Sequence, residues 1–357
     1  MKKEKDIKNL RENIDSIDSQ ILELLNKRME DVKNIGNLKQ DDNSVFYVPS
    51  RENEIYKRLV AENKGVLSKP ALKAIFREIM SAALSIEKKI KIAYLGPEGT
   101  FTNQASLNKF GKSVNYLPIG NITDVFEEVS KGRCDYGVIP IENTTEGAVT
   151  HTLDMFVDFD VKICSEITLQ IHHNLMVKNK DAKIKKIYSN PQAFAQSRRW
   201  LQMNYPNVEL IPVESTTMAA KLAKEQKDAG AIASKLAAEI YELVILNKEI
   251  EDSAHNMTRF LILGTEYSKQ SGKDKTSLMF SIKDKVGVLY EALLPFRKNK
   301  INLTKIESRP SKKKAWEYLF FVDLEGHFED KNVKKAIAEL DKHCIFCKIL
   351  GSYPSEV

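Results

Sequence analysis

The chain has 357 residues, room for two or three domains, and 42% of them are hydrophobic, which sets aside disorder as the default. Its formal net charge of +6 is spread over a surface where Lys and Glu mix. The densest basic run is Lys312 to Lys314, expected in a hairpin turn, so a nucleic-acid face is set aside. No apolar run nears the length of a membrane span, and the charged start, Met1 to Asp6, does not suit a secretory signal.

The first predicted element is a long helix over residues 7–39. Ile7, Leu10, Ile14, Ile17, Ile21 and Leu24 repeat at alternating three- and four-residue steps, a coiled-coil seam. Two shorter helices follow, one from about Ser50 to before Gly65 and one from about Pro70 to Lys89. They are too short to cover the first, so a dimer of intertwined helical arms is expected. The seam's next position is Arg28, and a buried arginine there is costly unless an anion meets it. Arg11 and Lys39 flank the seam, Arg51 and Glu52 open the second helix, and Glu87 lies late on the third.

From residue 90 to 267 strands alternate with helices. Strands are predicted at 90–95, 136–141, 186–189, 209–213, 230–233 and 260–263, with helices such as 192–203 and 217–226 between them. That order implies an α/β domain on mainly parallel sheets. Its turns at 96–100, 142–147, 189–192 and 214–217 are rich in Gly, Ser, Thr or Asn and belong at the carboxyl edge of a sheet, where such domains bind ligands. The turn GPEGT lacks the Gly-Lys-Ser/Thr of a P-loop, so nucleotide binding is not implied. A polar linker, 268–275, leads into strand 276–282, helix 286–298, strands 301–307 and 315–324, helix 331–342 and strand 345–351. That βαββαβ order is the ferredoxin-like plan. The four cysteines, Cys134, Cys164, Cys344 and Cys347, fit reduced thiols in a cytoplasm better than a disulfide framework. Cys344 and Cys347 have no second pair or His at zinc spacing, so no metal is expected.

Residues 7–89 resemble the all-helical chorismate mutases through Leu10-Arg11, Arg28, Gly36 and Lys39, Pro49-x-Arg51-Glu52, and Ile79-Met80-Ser81 through Glu87. The resemblance implies that Arg11 reaches a substrate carboxylate across a dimer, that Arg28 and Arg51 hold carboxylates, and that Lys39 meets the ether oxygen and a carboxylate. It also gives Glu52 the ring hydroxyl, Glu87 the ether oxygen, and Ser81 a place in the pocket. Val48 stands where some members carry aspartate. The reaction is pericyclic, so cations that hold the dianion compact and stabilise the breaking C–O bond suffice.

YLGPEGTF (94–101), CDYGVIPIENTTEGAV (134–149), SNPQAFAQ (189–196) and NMTRFLILG (256–264) together resemble the prephenate dehydratases. That implies two lobes like a periplasmic binding protein, with substrate in the cleft and neither metal nor organic cofactor. Thr258 is expected to assist the departing hydroxyl and Arg259 to clamp a carboxylate. An alternating strand puts their side chains on opposite faces, so both reach substrate only from a twisted or terminal position. Thr100, Phe101, Glu142, Asn143, Thr144, Asn190, Gln192 and Phe260 are expected to line the cleft. Asn190 replaces the histidine usual before Pro-Gln, and Thr144 a common serine.

Residues 276–351 resemble an ACT domain of the phenylalanine-binding kind. Gly287, Val288 and Leu289 at a helix start, Asn302, and Glu307, Ser308, Arg309 and Pro310 are expected to bind the effector between paired domains. The whole implies three domains, 1–89, 90–267 and 276–357. Together they imply a cytoplasmic homodimer or homotetramer that turns chorismate into prephenate and prephenate into phenylpyruvate, inhibited by L-phenylalanine. The alternatives are arogenate as the dehydratase substrate and a non-catalytic amino-acid sensor.

Overall fold

The computed structural model describes residues 2–40, 46–283, 285–310 and 318–355. The expected turn at Lys312 to Lys314 and the start of the strand expected at 315 lie outside them. Three helices open the chain: α1 (Lys2–Gln40), α2 (Pro49–Glu62) and α3 (Lys69–Glu87). Helix α1 has 39 residues, about 58 Å at 1.5 Å per residue. Along its seam Leu10 is 61% exposed, Leu24 65% and Leu38 73%. Helix α3 begins where Ser68 Oγ accepts from Ala71 N–H and Pro70 enters the first turn. Helices α1 and α3 approach closely at Gly36, where an added Cβ would stand 3.2 Å from the Glu87 Cα. A larger residue there would push the two helices apart.

The contacts divide the chain into two compact units. One holds α1, α3, α2 from Tyr56 onward and the stretch Phe110–Asn115; the other holds the rest. In chain order the remaining elements are β1 (Lys91–Leu95), α4 (Phe101–Phe110), β2 (Asn115–Ile119), α5 (Ile122–Ser130), β3 (Tyr136–Asn143), β4 (Gly147–Ala148), α6 (Thr150–Asp158), β5 (Lys162–Gln170), β6 (Asn174–Val177), β7 (Lys186–Ser189), α7 (Pro191–Gln196) and α8 (Arg198–Asn204). Then come β8 (Glu209–Pro212), α9 (Thr216–Glu225), β9 (Ala229–Ala233), α10 (Lys235–Ile240), β10 (Val244–Asn247), β11 (Met257–Gly264), β12 (Asp274–Ile282), α11 (Val288–Lys298), β13 (Leu303–Pro310), β14 (Tyr318–Glu325), α12 (Lys331–Asp341) and β15 (Cys344–Pro354).

One lobe is built on the sheet β2-β1-β3-β11-β5, with β4 beside β3, and the other on β10-β6-β9-β7-β8. The chain crosses between them after β5 and returns before β11, and Ile171 N–H donates to the Asn256 carbonyl at 2.8 Å where the two crossings meet. This is the plan of a two-lobed binding protein. The sheets are mixed, not mainly parallel as the strand–helix alternation suggested. Strand β11 returns antiparallel between β3 and β5, and β6 runs antiparallel to both β9 and β10. The helix expected over 192–203 is two helices, broken at Ser197 (φ −117°, ψ 17°).

Sidechain caps fix the strand-to-helix turns. Asn190 Oδ1 accepts from Ala193 N–H at 2.8 Å, Ser215 Oγ from Met218 N–H at 3.0 Å, and Ser234 Oγ from Ala237 N–H at 3.0 Å. Asn190→Ala therefore costs about 1 kcal/mol of stability, while Asn190→Ser costs almost nothing; thermal unfolding of the two variants measures the difference.

The last sheet, β13-β14-β12-β15, is antiparallel and ferredoxin-like. One face packs Leu278, Phe280, Val322 and Leu324 against Ala292 and Phe296 of α11 and Ala336 and Leu340 of α12. From the other face, Met279, Phe321, Leu350 and Tyr353 join one core with Ile139, Ile141 and Ile163 of the first lobe. That packing is close: a Cβ added at Gly351 would lie 2.1 Å from the Ile163 carbonyl oxygen.

Candidate functional sites

Within the helical unit the structure brings Arg28, Lys39 and Glu87 together. Lys39 Nζ donates to Glu87 Oε2 at 3.0 Å, and its place in the last turn of α1 suits a cation. Arg28 feels the same carboxylate. Burial lowers its pKa and Glu87 partly offsets that. Its Nη1 is buried with no hydrogen-bond partner among the described residues. Desolvated cations with one unanswered donor form a receptor for an anion. Arg11 is exposed on α1. On α2, Arg51 pairs with Glu54 at 3.0 Å and Glu52 lies 3.5 Å from Lys109 Nζ. Ser81 is buried, and its hydroxyl accepts from Ser113 N–H at 3.0 Å.

A second constellation spans the two lobes. The polarity of its hydrogen bonds follows from two backbone donors. Thr145 and Glu146 N–H both point at Asn143 Oδ1, at 2.9 and 3.2 Å. Backbone N–H can only donate, so this atom is the amide oxygen and the other is nitrogen. Asn143 Nδ2 then donates to Asn256 Oδ1 and to Thr258 Oγ1, both at 2.8 Å. Asn256 Nδ2 donates to Gln196 Oε1 at 2.9 Å, which turns Gln196 Nε2 toward Thr145 Oγ1 at 3.0 Å. Gln196 Oε1 also meets His173 Nε2 at 2.8 Å, so that ring nitrogen carries the proton.

Two consequences follow. The Thr258 hydroxyl accepts from Asn143, and among the described residues no acceptor takes its own proton. His173 presents a bare Nδ1, buried and without a partner among the described residues. Burial lowers the His173 pKa, with Gln196 and Glu251 opposing, so the ring stays neutral through the physiological range. Its ring meets Phe101 edge-on at 5.5 Å.

The turn before α4 closes the cleft on the other side. Thr100 Oγ1 accepts from Asn103 N–H at 3.3 Å and donates to the Pro97 carbonyl at 2.9 Å. Ser234 Oγ of the second lobe donates to the Gly99 carbonyl at 2.8 Å. Nearby Thr217 Oγ1, buried and unpartnered among the described residues, lies 3.4 Å from where a Cβ on Gly99 would stand. Thr144 fastens β3 to β11, donating to the His255 carbonyl at 2.7 Å and accepting from Met257 N–H at 3.0 Å.

Other expectations need correction. Asn143 pairs with Thr258 and Glu142 with Arg259 across adjacent strands, so the two pairs face opposite ways. Arg259 and Glu142 turn from the cleft toward the last sheet. Arg259 is 11% exposed. Its Nε donates to Glu166 at 2.6 Å, its Nη1 to Glu142 at 2.9 Å and Asp323 at 2.6 Å, and its Nη2 to Tyr353 Oη at 2.9 Å. With its donors engaged this way it is no carboxylate clamp, and Glu142 does not line the cleft. Phe260 is 1% exposed, a core residue. Gln192 is exposed, and the network uses Gln196 one turn later. Gln196 lies in SNPQAFAQ and Asn256 opens NMTRF, both motifs singled out from the sequence. His173 had no motif signal, and neither did Glu166.

In the last sheet Gly287 caps α11. Val288, Leu289, Tyr290, Ile282 and Phe320 line an open pocket there of about 360 Å³. Glu307, Ser308, Arg309 and Pro310 lie on β13, the sheet's edge. Asn302 Nδ2 donates to Glu325 Oε1 at 3.1 Å, and Arg309 lies 3.8 Å from Asp154. Strand β13 runs beside the pocket: Ser308 pairs in register with Phe320 and Pro310 with Tyr318, and both aromatic residues line it.

Three family models match the sequence: Chorismate mutase type II over residues 10–88, Prephenate dehydratase over 92–268 and ACT domain over 276–342. A bifunctional chorismate mutase/prephenate dehydratase of Aquifex aeolicus (strain VF5) is 52% identical over 354 residues, spanning 98% of each chain. One from Stutzerimonas stutzeri is 44% identical over 358 residues, again 98% of each. Among solved structures, a prephenate dehydratase from Arthrobacter aurescens in complex with L-Phe superposes with a TM-score of 0.70 at 31% identity, covering 74% of this chain and 90% of that one.

Proposed function

The chain belongs to the bifunctional chorismate mutase/prephenate dehydratase family, and we propose how its residues divide that work. It isomerises chorismate to prephenate and converts prephenate to phenylpyruvate in phenylalanine biosynthesis. Arg28 and Lys39 hold the substrate dianion, and Lys39, positioned by Glu87, donates to the ether oxygen. The charge that grows on the breaking C–O bond then finds donors already in place. Arg11, Arg51, Glu52 and Ser81 keep the roles that resemblance gives them.

Prephenate must lose a ring carboxylate as carbon dioxide and the hydroxyl opposite it, and aromatisation drives both. The departing hydroxyl needs a proton donor. The observation that carries this assignment is the polarity of the Asn143–Thr258 bond, which leaves the Thr258 proton for the leaving group. Substrate carboxylates are received at the N-termini of α4 and α9, near Thr100 and the Thr217 hydroxyl, which has no partner among the described residues. His173 Nδ1 accepts a hydrogen bond from bound substrate or water.

L-Phenylalanine is the proposed effector. The ACT match, the open pocket at Gly287 and the L-Phe complex of the Arthrobacter aurescens enzyme support it. The exposed seam of α1 supports a homodimer or homotetramer in which a second copy covers it. Four free cysteines support a cytoplasmic setting, and among the described residues no helix is long and apolar enough to cross a membrane.

The test is one assay on purified protein. Chorismate is supplied, and prephenate and phenylpyruvate are followed separately, with and without phenylalanine. Chorismate should disappear, phenylpyruvate should appear, and phenylalanine should suppress it. Prephenate accumulating without phenylpyruvate would overturn the dehydratase assignment alone.

A further inference from the structure

Behind the Thr258–Asn143 pair, the first lobe and the last sheet share a largely buried cluster of six charges, of which Glu142 is the most exposed at 33%. The lobe gives Arg259, Glu142 and Glu166; the last sheet gives Lys275, Lys305 and Asp323. Lys275 Nζ donates to Glu166 at 2.8 Å, and Lys305 Nζ donates to Glu142. Ser277 Oγ donates to Asp323 Oδ1 at 2.5 Å and is hydrogen-bonded to Tyr353 Oη at 2.7 Å, the tyrosine that accepts from Arg259. Taken alone the lobe's half carries one excess negative charge and the sheet's half one excess positive. Joined, they cancel. Glu166 is 2% exposed, so removing one of its partners from the joined cluster would strand charge that water cannot reach.

The charges support one another. Burial opposes the Arg259 charge, but Tyr353, Asp323 and Glu166 outweigh it and raise its pKa. Burial likewise pushes Glu142 up, and its bonds to Lys305 and Arg259 bring it below the ordinary carboxylate range.

Position gives the cluster its meaning. Arg259 and Glu142 are the immediate chain neighbours of Thr258 and Asn143, paired in register on the same two strands. A displacement of the outer pair therefore moves the inner pair. Lys305 lies on β13 two residues before Glu307, and it pairs in register with Asp323 of β14.

We propose that this six-charge cluster is a positioning element for the dehydratase site, holding Thr258 and Asn143 from behind, and that the effector acts on the cleft through it. The second half rests on the effector assignment above. Arg259 is thus a positioning residue rather than a catalytic one. An effector that shifts β13 or β14 changes the partners of Arg259 and Glu142, and with them the aim of the Thr258 proton.

Asp323→Asn and Lys305→Met test the proposal in the full-length chain, with Lys305→Arg as the conservative rescue. Without phenylalanine, both variants should lower kcat on prephenate about tenfold with KM little changed. Lys305→Arg should restore most of it, and thermal unfolding close to that of the parent should report an intact fold. With phenylalanine, calorimetry should find binding close to that of the parent, while the inhibition it produces falls about tenfold. Unchanged kcat in both variants overturns the positioning role. Full inhibition of both overturns the coupling. A parent that binds no phenylalanine defeats the effector assignment and the coupling with it, and kcat still decides the positioning role.

Discussion

Thr258→Val lowers kcat on prephenate by about two to three orders of magnitude, the cost of removing one donor aimed at developing charge, and leaves chorismate turnover intact. Valine matches threonine in shape but has no proton to give. It also leaves Asn143 Nδ2 with one hydrogen bond in place of two, at a cost of about 1 to 3 kcal/mol of stability. The two losses separate by measurement: kcat on supplied prephenate reads the donor, and thermal unfolding reads the orphaned amide. Thr258→Ser keeps the hydroxyl and should retain most of the rate. A valine variant with parental kcat would remove Thr258 from the mechanism. Supplied with chorismate, the valine variant should accumulate prephenate, because the helical unit keeps working.

His173 offers a smaller contrast. His173→Phe preserves the bulk against Phe101 but removes both the donor to Gln196 and the bare Nδ1. Its loss frees Gln196, and through Asn256 and Asn143 the aim of Thr258 loosens. The expected fall in kcat is about tenfold, with prephenate kinetics as the measurement.

How much of this was legible depends on the range of the forces involved. The α1 seam could be read because its period is local, and Arg28 stood out because one residue broke that period. The ferredoxin-like order was legible for the same reason. Strand β5 was not. Its apolar pattern is interrupted by Glu166, a charge that survives burial only because Arg259 and Lys275 reach it from distant parts of the chain. The TRF motif is legible in the sequence, and strand alternation alone requires Thr258 and Arg259 to part. Which of them faced the cleft depended on where the last sheet docks, and that is set by close packing at Gly351 and the shared core rather than by anything near residue 259. Gln192 and Gln196 lie one turn apart in one motif. Only the break at Ser197 and the crossing at Asn256 decide which of the two amides enters the network.

Arg28→Leu abolishes chorismate turnover, by about three orders of magnitude or more, and stabilises the helical unit that loses it. The first effect follows from removing a desolvated cation that meets the substrate dianion. The second follows from the seam. Position 28 continues the run Ile7, Leu10, Ile14, Ile17, Ile21 and Leu24, where leucine is the fitting residue. The native arginine holds there a partly buried charge whose Nη1 has no partner among the described residues, and replacing such a group with an apolar residue is worth about 1 kcal/mol or more. Loss of activity with a raised unfolding temperature marks a residue kept for binding at the expense of the fold. Loss of activity with a lowered unfolding temperature would mean that Arg28 serves the helices instead, and its place in the mutase site would fall. Phenylpyruvate formation from supplied prephenate should not change in either case, since Thr258 and its network lie in the other compact unit.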